Sequence, residues 1–136
     1  MRTHLEALRT AVATAGGAPA YLGSVASLPA LPYALLEVVA GLPDEAALDG
    51  APAGVDITVR VKAVALTPEA AAHLADTVRV GLCPSLRPST LSVAGWSTDL
   101  VWLRHEADYV DRGVIAPATN THPAISVDTY AVRSTV

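Results

Sequence analysis

An α+β fold, in which two helices pack on a mostly antiparallel mixed sheet in the order α-β-β-β-α-β-β-β, is predicted by three features of this 136-residue chain. The first is alternation: Val55, Ile57, Val59, Val61 and Ala63 interleave with Asp56, Thr58, Arg60 and Lys62. A period of two marks a half-buried strand. The second is the change of period after Leu66, where Thr67-Pro68-Glu69 opens a run of Ala71, Leu74, Ala75, Val78 and Leu82. Thr accepts an orphan N–H at the N-cap, Pro has its φ pre-set for the first helical position, and Glu complements the positive end of the helix dipole. The third is the shortness of most connections between the strand-like runs, which favours antiparallel neighbours with helices on one face.

The elements follow in order. Residues 3–15 predict a helix, with Thr3 and Glu6 as a capping box, Leu5, Leu8 and Val12 as one stripe, and Gly16-Gly17 as its stop. Residues 20–22 predict a short strand, and 24–32 a proline-punctuated loop. Residues 33–40 are β-rich and mostly apolar, the pattern of a central strand. A long loop, 41–54, carries Asp44, Glu45 and Asp49 before the alternating strand 55–65 and the helix 68–82. Pro84 and Pro88 bracket a connection to a short strand at 90–94, a tight turn at Gly95 and a longer strand at 98–106. A second long loop spans 107–123, and 125–133 forms the last strand. Ordered loops longer than about 12 residues are usually functional.

Composition narrows the function classes. The length suits a single domain, 1–136, large enough to bury a core. The net charge is −4, and one lysine, Lys62, stands beside eight scattered arginines. Sequence-independent nucleic-acid binding needs a dense cationic surface, which this chain lacks. Charged residues make up only 16% against a usual value of about 25%. That scarcity has two readings, uncharged surface buried against partners or the composition of a GC-rich genome. The single cysteine, Cys83, makes no internal disulfide, consistent with a reducing compartment, and reads as a small buried apolar residue. Residues 10–36 carry no charge, but Gly16, Gly17, Pro19, Gly23, Pro29 and Pro32 break the run, so no membrane span is expected. Glu6 and Arg9 interrupt any signal-peptide core, and the chain reads as soluble.

Catalytic chemistry is sparse. Gly95-Trp96-Ser97-Thr98-Asp99 lacks the second glycine of a nucleophile elbow. His4, His73, His105 and His122 have no ligand spacing among themselves. His105, Glu106, Asp108 and Asp111 form the one acidic–histidine cluster, without the alternation or final Glu of a calcium loop, and read as a solvated strand end. No phosphate-cradling glycine motif occurs. Trp96 and Trp102, without basic neighbours, read as core or interface packing. No catalytic, cofactor-binding or metal-binding residue is assigned, and no enzyme activity is expected.

The layout as a whole resembles the siphophage tail terminator proteins, a lambda-like tail-completion family. The resemblance rests on the N-terminal helix leading to Leu31-Pro32-Tyr33-Ala34-Leu35-Leu36 and on the charged loop before Asp56-Ile57-Thr58-Val59-Arg60-Val61-Lys62-Ala63. It rests also on the Thr67-Pro68-Glu69-Ala70 helix start with Ala75-Asp76-Thr77-Val78-Arg79, and on the ending Val127-Asp128-Thr129-Tyr130-Ala131-Val132-Arg133-Ser134. The segment 84–96 matches less clearly. The resemblance implies a homo-hexameric ring that caps the major tail tube protein, stops its polymerisation and presents a surface to a neck or head-completion protein. Genomic DNA would pass through the lumen without specific binding, and the protein would reside in the virion after assembly in the host cytoplasm. On loop length and composition, Asp44, Glu45, Leu48 and Asp49 are assigned to contact with the tube or an adjacent subunit. Tyr109 and Arg112 are assigned to another subunit or the neck. Two alternatives stay open at this point, another neck protein such as a stopper, and a small-molecule-binding α+β domain with an apolar pocket.

Overall fold

The computed structural model describes residues 2–25, 29–43, 54–116 and 120–136. The elements run α1 (Arg2–Gly16), β1 (Ala20–Leu22), β2 (Tyr33–Pro43), β3 (Gly54–Ala65), α2 (Pro68–Leu82), a short 3-10 turn (Pro84–Leu86), β4 (Ser89–Thr90), β5 (Ser97–Val110) and β6 (Ala124–Thr135). They form one six-stranded sheet in the order β1-β2-β3-β6-β5-β4. β1 lies parallel to β2, and every other pair is antiparallel. The α+β class, the element order and the mixed sheet are those the sequence predicts.

The core lies between the sheet and the helices. Val55, Ile57, Val59, Val61 and Ala63 turn inward from β3 as the alternation requires, and all are buried. They meet Leu8 and Val12 of α1 and Leu74, Val78 and Leu82 of α2 in one cluster. α2 starts where predicted: the Thr67 hydroxyl accepts the Ala70 N–H at 3.1 Å, and Pro68 opens the helix. The two helices also touch each other, closely enough that a Cβ on Gly81 would stand 2.6 Å from the Ala15 Cβ.

The second face of the sheet has its own chemistry. At one end Tyr33, Val64, Ile125 and Val127 form a small buried cluster, with Tyr21, Leu31 and Leu35 packed against it. Across the middle run ion pairs: Lys62 to Glu37 at 2.9 Å, and Arg60 and Arg104 to a shared Glu106 at 2.7 and 3.0 Å.

Several boundaries differ from the sequence reading, each for a physical reason. Thr3 lies inside α1, which begins at Arg2, so Thr3 and Glu6 are not a capping box. Residues 41–43, read as loop, continue β2 and pair with Ile57, Asp56 and Val55. Pro43 is tolerated because β1 pairs β2 only as far as Leu36, leaving the rest of β2 an edge where a missing N–H breaks no ladder. Residues 107–110, also read as loop, continue β5 opposite β6. Bulges between Trp102 and Arg104 and between His105 and Ala107 shift the phase there, and this hides the alternation. β4 is confined to Ser89–Thr90, and the rest of the expected 90–94 strand is reduced to a Val93–Trp96 bridge around Gly95 at φ +80°. β6 is three residues longer than 125–133, running from Ala124 to Thr135.

Candidate functional site

The strand register fixes where the two long connections leave the sheet. At one end, Pro43 pairs with Val55, Gly54 with Thr135, and Thr135 with Ser97. At the other, Tyr33 pairs with Val64, Ala65 with Ala124, and Ala124 with Val110. The connection between β2 and β3 therefore leaves one end, and that between β5 and β6 leaves the opposite end. They are separated by the length of β3, about 36 Å at ~3.3 Å per residue.

Asp44, Glu45, Leu48 and Asp49 lie outside the described residues. Tyr109 and Arg112 are described, at the end of the sheet from which the β5–β6 connection leaves. Tyr109 belongs to β5, pairs with Ile125 and is 42% exposed. Burial works against the charge of nearby Lys62, but Glu37 and the Tyr109 hydroxyl outweigh it and raise the Lys62 pKa. Arg112 is exposed in the turn after β5 and has no ion-pair partner among the described residues. That turn is tied down locally. Asp111 donates its N–H to the Pro123 carbonyl at 2.9 Å and accepts the Gly113 N–H on Oδ1 at 3.1 Å. His122 donates from Nδ1 to the Val114 carbonyl at 2.7 Å. Ile115, 55% exposed, sits in the same segment.

The acidic–histidine cluster assembles differently from its sequence spacing. The bulge at Glu106 brings this side chain to Arg60 and Arg104 on the second face, and Asp111 turns away to cap Gly113. His105 instead lies between two carboxylates, Nδ1 at 2.9 Å from Asp128 Oδ1 and Nε2 at 2.9 Å from Asp108 Oδ2. Ser126 donates to the other oxygen of Asp108 at 2.7 Å. Hydrogen bonds to Asp128 and then Asp108 raise the His105 pKa. When the imidazole is protonated, both ring nitrogens donate in this arrangement, one to each carboxylate. Among the described residues no group of three or more His, Cys, Asp or Glu is arranged to hold a metal ion. Asp128 and Ser126 escaped the sequence reading. Their signal was the run Ser126, Asp128, Thr129 inside a strand that is buried almost throughout, because buried polar side chains need partners.

The remaining chemistry-bearing residues are structural. Cys83 is buried, and burial raises its thiol pKa. Trp96 meets His4 edge-to-face at 4.9 Å, and Trp102 lies under Arg79 at 5.7 Å. Both pack on the main core. A cleft of about 300 Å³ opens between Leu31, Pro32, Leu66 and Leu74, with His73 and Thr77 its polar lining side chains. The Thr77 hydroxyl is engaged by the His73 carbonyl at 2.8 Å.

No family model matches the chain, and no curated protein matches it. Among solved structures, it is similar to a chain of the virion of a native gene transfer agent (GTA) particle, with a TM-score of 0.54 over 93% of this chain and 84% of that one. The chain shares its fold with a virion component. At 16% identity the likeness is one of backbone architecture and carries no individual residue across.

Proposed function

We propose that this chain is a structural protein of a phage-like virion, which closes the end of a tail tube as a hexameric ring, stops tube growth and offers its other side to a neck protein. The observation that carries this reading is that the two long connections leave opposite ends of one sheet, in a fold shared with a virion component. A terminating ring has to grip two different neighbours on two sides. Here the acidic 44–49 segment would meet the tube or an adjacent subunit, and Tyr109 with the Arg112 turn would meet another subunit or the neck. The cations of the second sheet face support passage of DNA without capture. Arg60 and Arg104 share Glu106, Glu37 holds Lys62, and Arg133 stands between Asp99 and Asp56 in the strand register. Of these, Arg60, Arg104 and Lys62 are neutralised by ion pairs, and cations held in this way release few counterions to a phosphate backbone. No helix among the described residues is long and apolar enough to cross a membrane, and the proposed location is the virion, reached by assembly in the host cytoplasm.

Replacing Asp44, Glu45 and Asp49 together with Ala is expected to leave the melting temperature unchanged while head–tail joining in a complementation assay fails. Normal yields of joined particles from the triple variant would remove the 44–49 segment from the contact.

A further inference from the structure

We propose that protonated His105 is a clamp that locks the far half of β5, the arm beyond its first bulge, onto the central strand β6, and that loss of its proton releases this arm together with the turn at residues 111–116. The geometry is specific. The imidazole bridges a carboxylate of its own strand, Asp108, to one of the neighbouring strand, Asp128, at 2.9 Å on each side. Asp128 is 2% exposed, and its Oδ2 has no hydrogen-bond partner among the described residues. A neutral imidazole has one N–H. After deprotonation one carboxylate therefore faces a ring lone pair, and two carboxylates are left on either side of an uncharged ring, one of them inside the protein. The clamp sits just where the β5 ladder is weakest, between the bulge before Arg104 and the bulge before Ala107.

The other charged groups around the ring are engaged elsewhere. Glu106 and Arg104 pair with each other, and Glu106 also with Arg60 of β3. From α2, Arg79 stacks over Trp102 and pairs with Asp76 at 2.9 Å. Beyond the strand end, Asp111 caps Gly113 and His122 is bound to the Val114 carbonyl, while Arg112 is exposed to solvent. Burial of the ring opposes its charge, but the two carboxylates outweigh it and hold the His105 pKa above the usual 6.5. The lock is therefore complete below pH 6.5 and opens as the pH rises through the raised value. The clamp is independent of the ring reading and stands or falls without it.

The test is a pair of titrations on the full chain: NMR of ¹³C-labelled histidine, and hydrogen exchange expressed as protection, with β3 as the internal reference. The wild type is expected to show a His105 midpoint above 6.5 and a fall in protection of residues 104–110 of about tenfold between about pH 6 and about pH 9. Asp108→Asn keeps an oxygen for Ser126 and removes an exposed charge, so it should fold normally. Its His105 midpoint and the release of the arm should move down together by about one pH unit. His105→Gln should leave arm protection independent of pH. A wild-type midpoint at or below 6.5 overturns the proposal, and so does arm protection that tracks β3 across the range.

Discussion

Tyr130 is the bulkiest of the fully buried side chains, and its hydroxyl has no hydrogen-bond partner among the described residues. Burial, with the nearby Asp128 charge, pushes its pKa far up, so the hydroxyl stays neutral. An unpaired buried hydroxyl costs about 1–3 kcal/mol of desolvation, and removing it leaves the aromatic packing intact. Tyr130→Phe is therefore expected to be neutral or to stabilise by up to ~1 kcal/mol in urea unfolding. A loss above that size would mean the hydroxyl is satisfied in solution. Gly81 gives the opposite lesson. A helix propensity scale rewards Gly→Ala by up to ~1 kcal/mol, but the added Cβ would stand 2.6 Å from the Ala15 Cβ and 3.2 Å from its Cα. Overpacking of that kind costs about 1–3 kcal/mol, so Gly81→Ala is expected to destabilise by about 1 kcal/mol or more. Contact between the helices, not the local preference of α2, sets the sign.

Among the elements, α1 is anchored to the strand ends by a buried polar chain: His4 Nε2 to the Ser134 hydroxyl at 3.0 Å, and that hydroxyl to Thr98 at 2.7 Å. His4 is fully buried, and burial, aided by the N-terminal charge, lowers its pKa. A base lowered on folding binds fewer protons in the native state, so its contribution is present above pH 6.5 and is lost as the pH falls towards the folded value. His105, raised on folding, has the opposite sign and loses its contribution as the pH rises above 6.5. Thermal melts across this range should show His4→Gln flattening part of the acid limb and leaving the alkaline limb as in the wild type. Equal changes on both limbs would contradict the assignment.

What could be read from the sequence at this scale was what depends on neighbours in the chain. The alternation of β3 and the Thr67-Pro68 start of α2 are local signals, and both elements stand where expected. The far half of β5 was not legible, because its two bulges reset a period of two. The end of β2 was not legible either: residues 41–43 read as the start of the loop, although they continue the strand opposite β3. The His105 clamp was half visible: Asp108 is three residues away and was seen, whereas Asp128 arrives only through the β5–β6 register. Composition and loop length picked out Asp44, Glu45, Leu48, Asp49, Tyr109 and Arg112, but whether a residue touches a partner depends on how two folded surfaces meet, which no local pattern in the chain reveals.

For the whole molecule, a sheet with helices on one face, ion pairs across the other and long connections at opposite ends gives a body with distinguishable sides. Such asymmetry suits head-to-tail contacts that close into a ring, since each subunit offers one surface and receives another. The central claim is that this ring ends a tube. The most direct measurement mixes the purified protein with polymerising tail-tube subunits and images the products by negative-stain electron microscopy. The account predicts tubes of limited length, each with a distinct ring at one end. Uncapped tubes of unrestricted length beside free rings or monomers would contradict it.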